Sequence, residues 1–276
     1  MRMEHPHYGF WLPPNISTHG AEIDKLISVL HWFMLVLFVG WALYLVYCLI
    51  RFRERPGHEA DISGSTHFSL PKYIEIGIII FEAVLLVFFS FPIWSKVKRD
   101  FPNEADALVV RVTAEQFAWT VHYAGKDGKF GQLKIELIDG TNPVGLDRQD
   151  PNGKDDILSP NTLNIPVNKP IIAKLTSKDV IHNFFLPVMR VKQDIIPGMT
   201  VPVWFQATQT GKFEIGCAQL CGVGHTQMRG FFNVMSQEEF ETWYQEEEKS
   251  LLASSDEPLP GKPLEVAKIQ TIKESK

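Results

Sequence analysis

Between residues 217 and 228 the chain reads Cys-Ala-Gln-Leu-Cys-Gly-Val-Gly-His-Thr-Gln-Met, a spacing of C-x3-C-x3-H-x2-M. Two thiols, an imidazole and a thioether therefore fall within twelve residues. Together these donors select copper over the hard, oxygen-preferring cations. A mononuclear blue-copper site uses one Cys, two His and a weak axial Met. A second Cys four residues from the first suggests two thiolates shared between two coppers. The segment is one imidazole short, so another part of the chain must supply it.

Of the nine histidines, most lie in polar or N-terminal segments where a solvated ring is the default. His182 differs. It sits in Asp-Val-Ile-His-Asn-Phe-Phe-Leu-Pro, an apolar, strand-like run 35 residues before Cys217. An isolated strand histidine is more often structural, but a site lacking one imidazole reverses that reading. Two other chemistries compete. Cys217, Cys221, His225 and His182 form an acceptable Cys2His2 set for zinc, although zinc gains nothing from Met228 and the usual close second His is absent. A Cys217–Cys221 disulfide suits an oxidising compartment, yet it leaves His225 and Met228 without a role. Copper uses every donor.

The elements that hold this segment are of two kinds. The chain has 276 residues and a net charge of -5, but its hydrophobicity is concentrated near the N-terminus. Leu26 to Ile50 is a 25-residue apolar stretch, and Tyr73 to Trp94 is a second of 22 residues. About 20 helical residues span the hydrocarbon core, so both qualify as membrane helices. Trp32, Trp41, Tyr44, Tyr47, Tyr73 and Trp94 lie mostly near their ends, where interfacial aromatics belong. The first stretch is too long for a signal-peptide core and lacks a basic lead-in, so it reads as an uncleaved span. Arg51, Arg53, Arg55 and Lys72 between the spans favour a cytoplasmic loop, while Lys96, Lys98 and Arg99 pull the other way. Charge alone is close to a tie. The second span also carries Glu75 and Glu82, seven residues apart and so on nearly the same helix side. Glu75 beside Lys72 can be a headgroup-level pair; Glu82 lies deeper, where an ionisable group usually faces a partner helix or a wet path.

From about Ala105 the pattern changes to short β-rich runs divided by Gly, Pro, Asn and Asp. Leu108–Thr113, Phe117–Tyr123, Leu133–Ile138, Thr162–Val167, Ile171–Ser177, Val180–Leu186, Val201–Ala207, Lys212–Gly216 and Gly230–Met235 are expected strands. Their number and spacing predict an all-β sandwich or barrel. Asp139–Ser159 reads as a long loop. Ser236-Gln-Glu-Glu239 is a capping box, with Phe240, Trp243 and Tyr244 following at helical spacing, so a short helix should close the domain. The expected organisation is an N-terminal segment over 1–25, a transmembrane hairpin over 26–96, a copper domain over 105–251 and a polar tail over 252–276.

With these residues in place, the chain resembles subunit II of haem-copper cytochrome c oxidases from about Leu26 to Leu251. The flanking Ser177-Lys-Asp-Val-Ile-His182 and Lys192-Gln-Asp-Ile-Ile-Pro-Gly198 are similar to that family's patterns. The resemblance implies a two-helix hairpin followed by a cupredoxin-like, Greek-key domain holding a dinuclear CuA copper centre. It implies that Cys217 and Cys221 bridge the coppers, that His182 and His225 bind one each, and that Met228 and the Gln219 backbone carbonyl complete the set. All positions would be filled by protein, which suits electron transfer and leaves no catalytic residue in this chain. Phe184, Phe185, Phe231 and Phe232 are the expected dry shell of the centre.

The implied role is to take electrons from cytochrome c or a similar external carrier and pass them to haem in subunit I. There oxygen is reduced to water and protons are pumped. Subunit III and membrane lipids are further implied partners; nucleic acid is not. The implied location is the bacterial inner membrane, with two spans and with both termini and the copper domain on the periplasmic side. Gln116, Phe117 and Trp119 correspond to the family's Gln-Trp-x-Trp run, where electrons enter, so Phe117 replaces its first Trp. Glu75 matches a membrane-helix Glu at the mouth of a proton pathway, whereas Glu82 matches no family role. Gln219 replaces a Glu whose side chain binds magnesium, so that site is in doubt. Met199 replaces an Arg, and a salt bridge is lost. Asp179 is an acidic candidate for docking a basic partner. No C-x-x-C-H haem-attachment motif occurs, so the donor is expected to be another chain. Competing roles are a membrane-tethered copper-binding or copper-delivery protein and a quinol oxidase subunit II, the latter disfavoured by intact copper ligands.

Overall fold

A computed structural model describes residues 12–57, 59 and 70–255. The expected N-terminal segment and polar tail thus fall partly outside the described residues, as does most of the loop between the spans. Helix α1 (Gly20–Arg51) and helix α2 (Leu70–Leu85), continued by a π-helical turn (Leu86–Ser90) and helix α3 (Phe91–Lys98), form the two apolar elements. The stretches 20–51 and 71–98 have 32 and 28 residues, and their apolar 18-residue windows have mean hydropathies of 2.4 and 2.5. Each is helix long enough to cross a bilayer, at about 1.5 Å per residue. They face each other at Phe33 and Phe81, whose ring centroids are 4.6 Å apart. Lys96 bonds Glu22 at 2.7 Å, so the start of α1 meets the end of α3 and the hairpin is antiparallel. Glu75 and Glu82 are both exposed along α2.

The remainder is a β-sandwich closed by one helix. Its strands are β1 (Leu108–Glu115), β2 (Ala118–Tyr123), β3 (Ile157–Pro160), β4 (Thr162–Pro166), β5 (Pro170–Ser177), β6 (His182–Leu186), β7 (Val191–Ile195), β8 (Val201–Gln206), β9 (Gly211–Cys217) and β10 (Arg229–Met235). Two five-stranded sheets run β3-β2-β1-β5-β8 and β4-β10-β9-β6-β7. The β1–β5 and β10–β4 pairs are parallel and the others antiparallel. This is the all-β sandwich expected from the spacing of the runs. The inner faces meet over Val110, Val112, Trp119, Val121, Leu163, Ile165, Leu175, Phe184, Phe205 and Phe232, all with essentially no exposure.

Leu133–Ile138 is not a strand. It forms a 3-10 turn at Ile135–Leu137, held by Lys134 N donating to Gly145 O at 2.7 Å. Its alternating apolar residues mimic strand periodicity, but Ile135 is 83% exposed and no sheet face covers the segment. Two strands were not anticipated. β3 takes the end of the expected 139–159 loop, and β7 sits in the polar Val-Lys-Gln-Asp-Ile segment at the edge of its sheet. The capping box is present: Ser236 N donates to Glu239 Oε2 at 2.8 Å and Glu239 N to Ser236 Oγ at 3.2 Å. Helix α4 (Gln237–Ser255), at 19 residues, is longer than expected.

Candidate metal centre

Two structural units bring the expected donors together. β6 begins at His182 and pairs with β9 through Phe184–Cys217, which sets the histidine beside the end of β9. The loop after β9 then folds back on itself: His225 N donates to Gly222 O and Met228 N to His225 O, closing a 3-10 turn over His225–Gln227. Gly222, at φ 145, takes a backbone conformation that residues with a Cβ rarely adopt. The result is a compact cluster. Cys217 Sγ lies 3.9 Å from His182 Nδ1, 3.8 Å from Cys221 Sγ and 3.2 Å from the Gln219 carbonyl. Cys221 Sγ lies 3.6 Å from His225 Nδ1 and 3.7 Å from Met228 Sδ. The ligand atoms of His182, Cys217 and Cys221 are all within 4.8 Å of one another.

The donor chemistry fits a soft metal. Cys217 and Cys221 are free thiols, and their 3.8 Å separation is well beyond the roughly 2.05 Å of a disulfide. A thioether and a backbone carbonyl stand against the same sulfurs, and zinc sites of the Cys2His2 type use neither. Burial first, then the neighbouring Cys217 thiol, pushes the Cys221 thiol up to about 11. Filling the site must therefore displace a proton there, since only the thiolate binds metal.

Asp179 stays exposed at the surface but aims its carboxylate at the His182 ring. Its carboxylate accepts from His182 Nε2 at 2.8 Å, Gln116 N at 2.7 Å and Val180 N at 2.6 Å. Burial opposes its ionisation, yet the bonds from His182, Gln116 and Val180 hold its carboxyl below the usual carboxylate range. Because Nε2 of His182 faces this carboxylate, it carries the proton and Nδ1 presents its lone pair to the Cys217 side. Gln116 also ties both ligand segments together, with Nε2 donating to the Cys221 carbonyl at 2.6 Å while its backbone N–H holds Asp179. An exposed Asp179 is compatible with the expected docking charge, while its bond to His182 and the tie through Gln116 are further parts that the sequence does not show.

The surrounding aromatics divide differently from the expectation. Phe184 and Phe232 are buried and Phe185 is partly so, but Phe231 is 62% exposed, because alternate β10 residues face outward. Its place as a shielding ring is taken by Trp119, fully buried, with its ring centroid 6.3 Å from that of His182. Phe117 is half-buried and lies on the ligand loop, so close that a Cβ on Gly224 would sit 2.5 Å from its ring. The Gln219 side chain is exposed while its carbonyl faces Cys217. Met199 is exposed beside Gly198.

Comparisons with known proteins show which family the chain is similar to. The family profile described as cytochrome c oxidase subunit II, periplasmic domain, matches residues 108–234. An alternative cytochrome c oxidase subunit 2 from Bradyrhizobium diazoefficiens is 32% identical over 239 residues, covering 86% of this chain and 84% of that one. A cytochrome c oxidase subunit 2 from Cereibacter sphaeroides is 29% identical over 252 residues, covering 84% and 80%. The crystal structure of the periplasmic domain of subunit II of cytochrome oxidase from Bradyrhizobium japonicum shares 31% identity. It covers 54% of this chain and 98% of that domain, at a TM-score of 0.40. With the likeness running through both the apolar hairpin and the donor-bearing sandwich, the chain belongs to the cytochrome c oxidase subunit II family.

Proposed function

We propose that this chain is the electron-accepting subunit of a respiratory haem-copper oxidase and holds a dinuclear copper centre. Its ligands are His182, Cys217, the Gln219 carbonyl, Cys221, His225 and Met228. The observation that carries this reading is the convergence of four other donor atoms on two cysteine sulfurs 3.8 Å apart. Held by Cys217 and Cys221, two coppers would supply a centre that takes up and gives away one electron shared between them.

The residues of this chain do the rest. With six protein donors no position is left for substrate, so the site suits electron transfer rather than catalysis. Asp179 fixes the ring of His182, and Gln116 ties the Cys221 loop to Asp179, so the donors are held rigidly whatever the charge of the centre. Trp119 and Phe184, both without exposed surface, keep water from the buried side. Phe117, on the outer side of the ligand loop, is the contact for an external carrier such as cytochrome c; Trp119 lies behind it. The exposed Gln219 amide offers no charge to a hard cation, which argues against a magnesium site there.

In this reading residues 26–96 anchor the chain in the bacterial inner membrane. The copper domain over 105–251 stands on the periplasmic side, beside the haem-bearing subunit I and with subunit III in the same assembly. Glu75 borders a proton path into that partner. The proposal is tested in the purified membrane complex with Cys217→Ser. Oxidation of the external carrier should fall at least a hundredfold while small chemical reductants still reduce the partner's haem. Carrier oxidation at the unmodified rate would overturn it, and a chain that purifies with copper but no haem subunit would point to copper delivery.

A further inference from the structure

The clasp between Arg190 and Asp24 is used by nothing described so far. Arg190 ends the turn between β6 and β7, at φ 56 in the left-handed region that favours glycine. Its side chain is only 7% exposed. The Nε donates to Asp24 Oδ1 at 2.7 Å and Nη2 to Asp24 Oδ2 at 3.0 Å, a bidentate fork. Nη2 also donates to Pro13 O at 2.8 Å, and Nη1 to Pro187 O at 2.7 Å and Pro14 O at 3.4 Å. Asp24 lies in the first turns of α1, so one buried guanidinium joins the sandwich to the first membrane span.

Other links cross this junction as well: Lys98, the last residue of α3, donates Nζ to Gln193 Oε1 in β7 at 2.5 Å, and the His19 ring meets Trp204 of β8 at 4.2 Å. Lys96–Glu22 joins α3 only to α1 and is about half exposed at both ends, where an ion pair holds little. Ile16 N to Val188 O at 3.0 Å and the Ser17–Ala207 bridge lay the incoming chain along the sandwich, and Ser17 Oγ accepts from Gly20 N at the start of α1 at 3.0 Å. The position of the clasp within its own hairpin gives it a function. Strand β6 starts at the metal-site His182 and pairs with β7 from His182–Ile195 to Leu186–Val191, and Arg190 sits at the closed end of that ribbon. A donor of the centre and the membrane helix are thus the two ends of one short, hydrogen-bonded strut.

We infer that Arg190, through its fork to Asp24, is a positioning residue that sets the height and tilt of the metal centre over the membrane partner. It thereby controls the rate at which electrons leave the centre. The inference rests on the function proposed above and adds the element that fixes the donor–acceptor geometry.

The experiment uses the assembled membrane complex carrying Arg190→Gly, Asp24→Asn or Arg190→Lys. Glycine takes the left-handed turn without strain, so the hairpin keeps its backbone. After flash reduction of the centre, electron transfer to the partner's haem should slow by about tenfold in R190G and D24N, as expected for a misplacement on the ångström scale. The KM for the external carrier and the copper EPR signal should stay unchanged. R190K should not restore the rate, because an ammonium cannot form the fork. Hydrogen exchange over residues 16–24 should quicken in all three. Transfer at the wild-type rate, or a copper signal that changes in step with the rate, would overturn the inference. A wild-type complex with no copper signal would instead sink the functional reading, and hydrogen exchange alone would then decide the clasp.

Discussion

A single hydrogen bond decides which nitrogen of His182 can bind metal. Nε2 faces Asp179 at 2.8 Å, which leaves Nδ1 toward Cys217. The donors were legible in the sequence because few residue types can serve and their spacing was short. The residues that orient them were not. A carboxylate three residues before a histidine reads equally as a solvated charge, and only the bend after β5 brings the still exposed Asp179 carboxylate to the His182 ring. Trp119 matches the family's motif, but its burial depends on residues distant in sequence, Phe184 and His182 across the sandwich and Asn161 at its N–H. Phe117 offers a direct test at this scale. In Gly224→Ala the new methyl would sit 2.5 Å from the ring and push it off the loop. The expected outcome is a several-fold rise in the carrier KM with copper content unchanged, read by steady-state oxidation and metal analysis. An unaltered KM would remove Phe117 from the docking surface.

Among the elements, those with strong local chemistry matched the sequence reading and those defined by partners did not. The Ser236–Glu239 box fixed the start of α4 from four residues, because both orphan N–H groups find acceptors locally. Ser236→Ala should lower domain stability by about 1 kcal/mol, seen as a lower denaturant midpoint with unchanged slope. A midpoint within error of the wild type would mean that packing of Phe240 and Trp243 alone holds the helix. Strand β7 escaped because Lys192, Gln193 and Asp194 give it no apolar alternation; it is a strand through pairing with β6 at the sheet edge. Ile135–Leu137 failed in the opposite sense, alternating like a strand but having no neighbour to pair with. The π-helical turn after Leu85 likewise leaves no mark in an unbroken apolar run.

At the scale of the whole molecule, the domain carries a buried acid–base pair remote from the metal donors. His122 Nε2 meets Asp156 at 2.6 Å with both side chains essentially unexposed, and Asp156 also accepts from Gly125 N and Gly131 N. The pair therefore pins the long excursion between β2 and β3. Burial lowers the His122 pKa, outweighing the bond to Asp156 that raises it. The unfolded chain then takes up this proton first as pH falls. The contribution is full above about pH 6.5 and is lost below it, by up to about 1.4 kcal/mol per pH unit until the folded ring itself protonates. His122→Gln should flatten the loss of stability between about pH 6.5 and 5, measured by denaturant melts; an unchanged slope would place the acid sensitivity elsewhere. The central claim concerns the copper, and one measurement tests it most directly. Loaded with copper, a soluble fragment beginning near Ala105 should bind two ions per chain and give an EPR signal of one electron delocalised over two equivalent nuclei. One copper per chain, or a colourless product, would contradict the account.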